Sequence, residues 1–142
     1  MILTRHTQTN EISEIPAKLV LSNIHEVYSI NDRAYIPVRY NVVTGPTTRF
    51  VKIKKDAIGD NQPSTDFYVT SGHKIVIDGI AIKAKNIKQG KRIKVKSQNV
   101  YSICTDKPSA ILVNGLAVMT WGFDEFIIYA KQNNLLWNNN AN

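Results

Sequence analysis

Three histidines, one cysteine and a run of cations are the residues of this sequence whose chemistry could go beyond holding a fold. His6, His25 and His73 are scattered without the spacing of metal ligands. Cys104 stands alone, so it closes no intrachain disulfide and completes no zinc cluster. No metal and no cofactor is expected. His73 follows Thr70, Ser71 and Gly72 at the end of a β-type run, where one role open to it is a structural hydrogen bond. Cys104 lies in an apolar strand, where a lone thiol is most often a small core residue. His6 and His25 have no partnered residues in sequence and are expected to face solvent. The formal charge is +7 and the pI about 9.6, values that suit contact with an acidic surface or nucleic acid. Lys83, Lys85, Lys88, Lys91, Arg92, Lys94 and Lys96 crowd one stretch with no acid between them. Such a stretch reads first as a solvated loop and strand edge, because lysines keep an edge from pairing with other chains. Its other reading is a binding surface. It has no interleaved aromatics for base stacking and no nucleic-acid-binding signature, which makes nucleic acid the weakest of the possible partners.

The elements that must position these residues are almost all strands. Lys18–Leu21, Glu26–Ile30 and Tyr35–Tyr40 form a first group of β-type runs. Arg49–Lys54 alternates apolar with basic, the period of a strand with one wet face. Asp66–Thr70 leads into the His73 turn. Two hairpins follow, Lys74–Ile77 with Ile80–Lys83 and Ile111–Val113 with Leu116–Val118. Each is closed by a residue pair, Asp78-Gly79 or Asn114-Gly115, that favours the positive φ of a type I′ turn. Arg92–Val95 and Val100–Cys104 lie between them. Helical spacing occurs only at Phe123–Gln132, with Asp124 and Glu125 in the first turn and Lys131 near the end. The loop from Asp56 to Thr65 is expected to be exposed. The fold class is therefore all-β with one C-terminal helix. Residues 1–122 form the β domain, 123–137 the helix and its apolar extension, and 138–142 an Asn-rich tail. No apolar run is long enough for a signal peptide or a membrane span, so an intracellular or virion setting is expected.

The ordered set of these segments resembles the hedgehog/intein (Hint) family. Phe67 to Gly79, followed by Ile82-Lys83-Ala84-Lys85-Asn86-Ile87, looks like the family's central block of strand, Thr-x-x-His, apolar strand, turn and basic segment. Val100–Ile103 and Ile111–Val118 resemble its last block. Met1–Thr4, Ile12–Ile15 and Leu19–Ser22 resemble the stretch after the family's first residues. The resemblance covers about residues 1–122 and implies a compact horseshoe of short strands and hairpins. In the family, a Cys or Ser at the first position attacks the preceding carbonyl, converting an amide to an ester or thioester. The resemblance then makes His73 the general acid that protonates the amide nitrogen, since imidazole donates protons near neutral pH. It makes Thr70 a hydrogen-bonding helper at the strained peptide or its oxyanion.

The departures bear on activity. No Cys or Ser stands at the family's first position within this chain. In the last block, Ser102 falls where splicing inteins often have Asp, Ser109 where they have an assisting His, and Met119-Thr120 where they have a terminal His-Asn. Without that Asn no side-chain amide can cyclise, which excludes splicing. Ser102 and Cys104 are the candidates for a substitute nucleophile. The leading expectation is a degenerate Hint module that works as a structural or interaction component of a larger assembly, such as a viral particle, with protein partners. The abundance of Asn, Ile and Lys suits a viral or mobile element with an AT-rich genome. The alternatives are a self-cleaving module whose nucleophile lies upstream of Met1, and a basic nucleic-acid-binding protein.

Overall fold

The structure is a computed structural model that describes residues 1–133. The strands are β1 (Ile2–His6), β2 (Ile12–Ile15), β3 (His25–Ser29), β4 (Ala34–Pro37), β5 (Tyr40–Ile53), β6 (Phe67–Val69), β7 (Lys74–Ile77), β8 (Ile80–Lys83), β9 (Gly90–Cys104), β10 (Ala110–Val113) and β11 (Leu116–Met119). The helix α1 spans Phe123–Gln132, and single 3₁₀ turns occupy Ala17–Leu19 and Ala84–Asn86. The protein is all-β with one C-terminal helix.

The larger sheet runs in the order β2-β1-β3-β10-β11-β7-β8, with β4 paired to β3 and Ile2 of β1 also opposite Val113 of β10. Its two tight hairpins form where the Asp-Gly and Asn-Gly pairs stand. Asp78 and Gly79 have φ of 52° and 78°, and Asn114 and Gly115 have 49° and 77°. That is the left-handed pair a type I′ turn requires. The hairpins then pair with each other, with Val118 opposite Ile75.

The smaller sheet, β6-β5-β9, is dominated by one long antiparallel ribbon of β5 and β9. Sequence predicts three shorter runs here, Arg49–Lys54, Arg92–Val95 and Val100–Cys104. The register shifts between Thr44, Thr47 and Arg49 explain the difference, because a bulge lets a strand bend without ending. Gly45, at φ +91°, sits at that bulge.

Most of the apolar side chains pack into one core, in which Val20, Val27, Ile53 and Ile75 are fully enclosed. Burial of each contributes roughly 1.5–3 kcal/mol. A second, smaller cluster joins α1 to the ribbon, where Phe126 and Ala130 pack against Val42 and Cys104. The Tyr40 ring stacks on Phe126 with centroids 4.3 Å apart. The helix begins where the Gly122 N–H donates to the Glu125 carboxylate at 3.2 Å.

Two local expectations are corrected and a third is refined. Lys18–Leu21 is not a strand: Ala17–Leu19 makes a 3₁₀ turn that drops Val20 into the core while Leu19 and Leu21 stay exposed. The 56–65 loop is mostly exposed, as expected, but it is anchored by the buried Pro63 and by the Ser64 N–H, which donates to Asn114 O at 2.8 Å. His6 and His25 are half-buried cross-strand partners whose rings meet edge to face at 5.9 Å. The expected apolar extension and Asn-rich tail, beyond residue 133, lie outside the described residues.

Candidate functional site

The Thr70–His73 turn joins β6 to β7 and is fixed by backbone bonds. The His73 N–H donates to Thr70 O at 3.2 Å, and the Ala84 and Lys85 N–H groups donate to His73 O and Ser71 O at 2.8 and 3.0 Å. The 3₁₀ turn at Ala84–Asn86 therefore holds the motif from outside. Because β7 pairs with β11, the His73 ring arrives beside the end of β11, where its Nε2 stands 2.9 Å from Met119 O.

A carbonyl can only accept, so the neutral ring carries its proton on Nε2 and donates it to Met119 O. Nδ1 is left as the acceptor, with no hydrogen-bond partner among the described residues. Burial holds the His73 pKa below the usual histidine value, only partly opposed by the Met119 bond and the negative charge of Glu125. Burial therefore favours the uncharged ring. That ring offers a lone pair to its surroundings, whereas a general acid would have to offer a proton.

Two cavities flank this ring. One, of about 230 Å³, is lined mainly by apolar side chains such as Val69, Ile103, Ile111 and Val118, with Thr70, His73 and Thr120 supplying polar groups. The other, of about 190 Å³, lies between His73, Lys74, Pro108, Trp121 and Glu125. Met119 and Thr120 line both. Thr70 and His73 are thus brought together, as their spacing implies.

Beyond Met119 stands a closed chain of hydroxyls. Thr105 Oγ1 donates to Lys107 O at 2.7 Å, so its single proton is used. Thr120 Oγ1, 2.6 Å from Thr105 Oγ1, must then be the donor in that pair. Thr120 Oγ1 in turn accepts the Ser109 N–H at 3.0 Å, and Ser109 Oγ donates to Lys107 O at 3.1 Å. All three residues are buried. The order is Ser109 N–H to Thr120 to Thr105 to the Lys107 carbonyl.

Ser102 and Cys104 lie elsewhere. Alternation along β9 puts them on the face opposite Ile103, and neither lines a cavity at His73. Cys104 is fully buried under α1, with Sγ 3.7 Å from both Thr105 O and Gly122 O. Burial pushes its pKa up to about 11, against a smaller opposing pull from Arg39. A thiol held protonated and covered is a poor nucleophile.

The basic stretch is divided by the fold between one groove and the surface outside it. Lys85, Arg92 and Lys94 line a single groove of about 570 Å³ together with Arg49, Ser71 and parts of Phe50, Val51 and Ile93. Lys83, Lys88, Lys91 and Lys96 are outside it. Lys91 is opposite Lys52 on the ribbon's other face. Sequence spacing did not select Arg49, since only the β5–β9 register puts it opposite Lys94.

Among the described residues no group of three or more His, Cys, Asp or Glu could hold a metal ion, and no helix is long and apolar enough to cross a membrane. No protein-family model matches the chain, and no curated protein matches its sequence.

Proposed function

We propose that this chain is a Hint-type module that no longer processes itself and serves as a structural or interaction component of a larger assembly, such as a viral particle, in the cell or virion. The observation that carries this reading is the closed hydroxyl chain at Thr105, Ser109 and Thr120. By the family resemblance, Thr120 occupies the place of the amide-bearing residue that releases a partner. Its hydroxyl is fully committed to holding the β9 and β10 ends together. The Nε2 proton of His73 is committed as well, to the Met119 carbonyl. The only thiol of the chain is buried on the far side of β9. A hydrogen-bonded structural role uses each of these groups as found, while a self-cleavage role leaves each of them facing the wrong partner.

The test is processing itself. A fusion in which a reporter and a Cys- or Ser-containing segment precede Met1 is incubated with thiol and followed by intact mass. The expected result is a single species at full mass. A thiol-dependent product cut at the junction would establish self-cleavage instead.

A further inference from the structure

The four cations of the groove come from three separate elements: Arg49 from β5, Lys85 from the 3₁₀ turn after β8, and Arg92 and Lys94 from β9. Arg49 is directly opposite Lys94 in the antiparallel register. Like charges placed directly across a strand pair repel and destabilise it. The four ion pairs of the described residues are Arg5–Glu26, Arg39–Asp106, Lys52–Asp66 and Lys107–Asp32, and none includes a groove cation. No carboxylate lines the groove. Phe50, Val51 and the half-buried Ile93 form its floor, and the polar groups that line it are the four cations and Ser71. Lysines along β9 would suffice to guard a sheet edge. Edge protection does not account for Arg49 and Lys85, which belong to other elements and converge on the same hollow.

We propose that this groove binds the phosphodiester backbone of a nucleic acid without reading its sequence. Four cations with no carboxylate among them suit a ligand of high and regular negative charge density. A nucleic acid duplex carries one negative charge per about 1.7 Å of axis. The two arginines can each grip a phosphate through two parallel N–H donors, and the lysines supply point charges beside them. The Ser71 hydroxyl is a further donor at the rim. The inference gives the proposed interaction role a partner chemistry. Its test is a binding measurement, so it can fail without touching the processing result.

The experiment measures anisotropy of a short labelled DNA duplex with the full chain over a range of salt. Four phosphate contacts predict a slope of log K on log salt near −3.6, or about a 150-fold loss of affinity between about 50 and 200 mM salt. Arg49→Gln with Arg92→Gln should weaken binding at low salt by about tenfold or more and make the slope shallower by about 1.8. Lys85→Gln with Lys94→Gln, made separately, should do the same, so that misfolding of one variant leaves the other to decide. Lys18→Gln with Lys131→Gln removes equal charge away from the groove and should leave most of the affinity. Absence of duplex binding at low salt overturns the proposal. So does an equal loss in the Lys18/Lys131 variant, which would make net charge the cause. Tighter binding of a poly-glutamate peptide, with displacement of the duplex, would assign the groove to an acidic protein segment instead.

Discussion

Replacing Thr120 by valine removes one oxygen from the centre of the hydroxyl chain and changes the shape of the side chain hardly at all. The Ser109 N–H, which gives its hydrogen bond to Thr120 Oγ1 at 3.0 Å, then has no acceptor in a residue only 2% exposed. An unpaired buried N–H costs about 1–3 kcal/mol. Loss of the 2.6 Å Thr120–Thr105 bond adds about 1 kcal/mol. The valine methyl returns roughly 0.5–1 kcal/mol through apolar burial. The net destabilisation expected is about 1–3.5 kcal/mol, or a fall of roughly 3–14 °C in Tm for a domain of this size. Equilibrium urea unfolding measures it, and the slope of the transition should not change, because the surface exposed on unfolding is the same. Thr120→Ser keeps the hydroxyl and should stay within about 1 kcal/mol of the parent. A valine variant within about 0.5 kcal/mol of the parent would refute the structural role given to this chain of bonds.

Cys104 should resist iodoacetamide in the folded protein, because at pH 8 a thiol with a pKa of about 11 is only about one part in a thousand thiolate. Labelling should accelerate at least a hundredfold in urea, and equal rates in both conditions would contradict its burial. The pKa values of His25 and His73 are both lowered, chiefly by burial, and the charge of His6 lowers that of His25 further. A lowered folded-state pKa means that the unfolded chain takes up protons first. The stability from these residues is therefore fully present above about pH 6.5 and is lost as pH falls below it. Urea midpoints should be level between about pH 8 and 7 and decline below about 6.5, with a shallower decline in His25→Gln. An unchanged pH profile in that variant would remove His25 from the account. Gly115→Ala should cost about 3 kcal/mol or more, since its φ is +77° and a Cβ would stand 2.2 Å from Asn61 O. Gly79→Ala has nearly the same φ, +78°, with nothing within 4 Å, and should cost only about 1 kcal/mol. Equal costs would mean that the 56–65 loop is not seated on the hairpin.

The parts of this molecule that are legible in the sequence are those fixed by local chemistry. Asp78-Gly79 and Asn114-Gly115 specify their turns because few residue pairs tolerate positive φ twice in succession. Phe123, Phe126, Ile127 and Ala130 specify the helix through their spacing, and the helix buries the Phe126 and Ala130 side chains. What sequence does not disclose depends on register between distant strands. The bulge that lets β5 continue through Gly45 is set by its pairing with β9. Leu19-Val20-Leu21 has β-type residues, yet the chain turns there because only Val20 has a core site to fill. Thr70 and His73 are visible as a pair from their spacing. Their relation to Met119 follows only from the pairing of β7 with β11. The convergence of Arg49 with Lys94 depends likewise on one registration, which no single strand encodes.

The most direct test of the proposed loss of processing compares the upstream-extended fusion with its His73→Ala variant, with both incubated in thiol and hydroxylamine and weighed intact. The account predicts that both remain at full mass, because the His73 N–H serves the Met119 carbonyl and neither Ser102 nor Cys104 lines the cavities beside it. Junction cleavage in the parent fusion that disappears in His73→Ala would contradict it and make His73 a working catalytic residue.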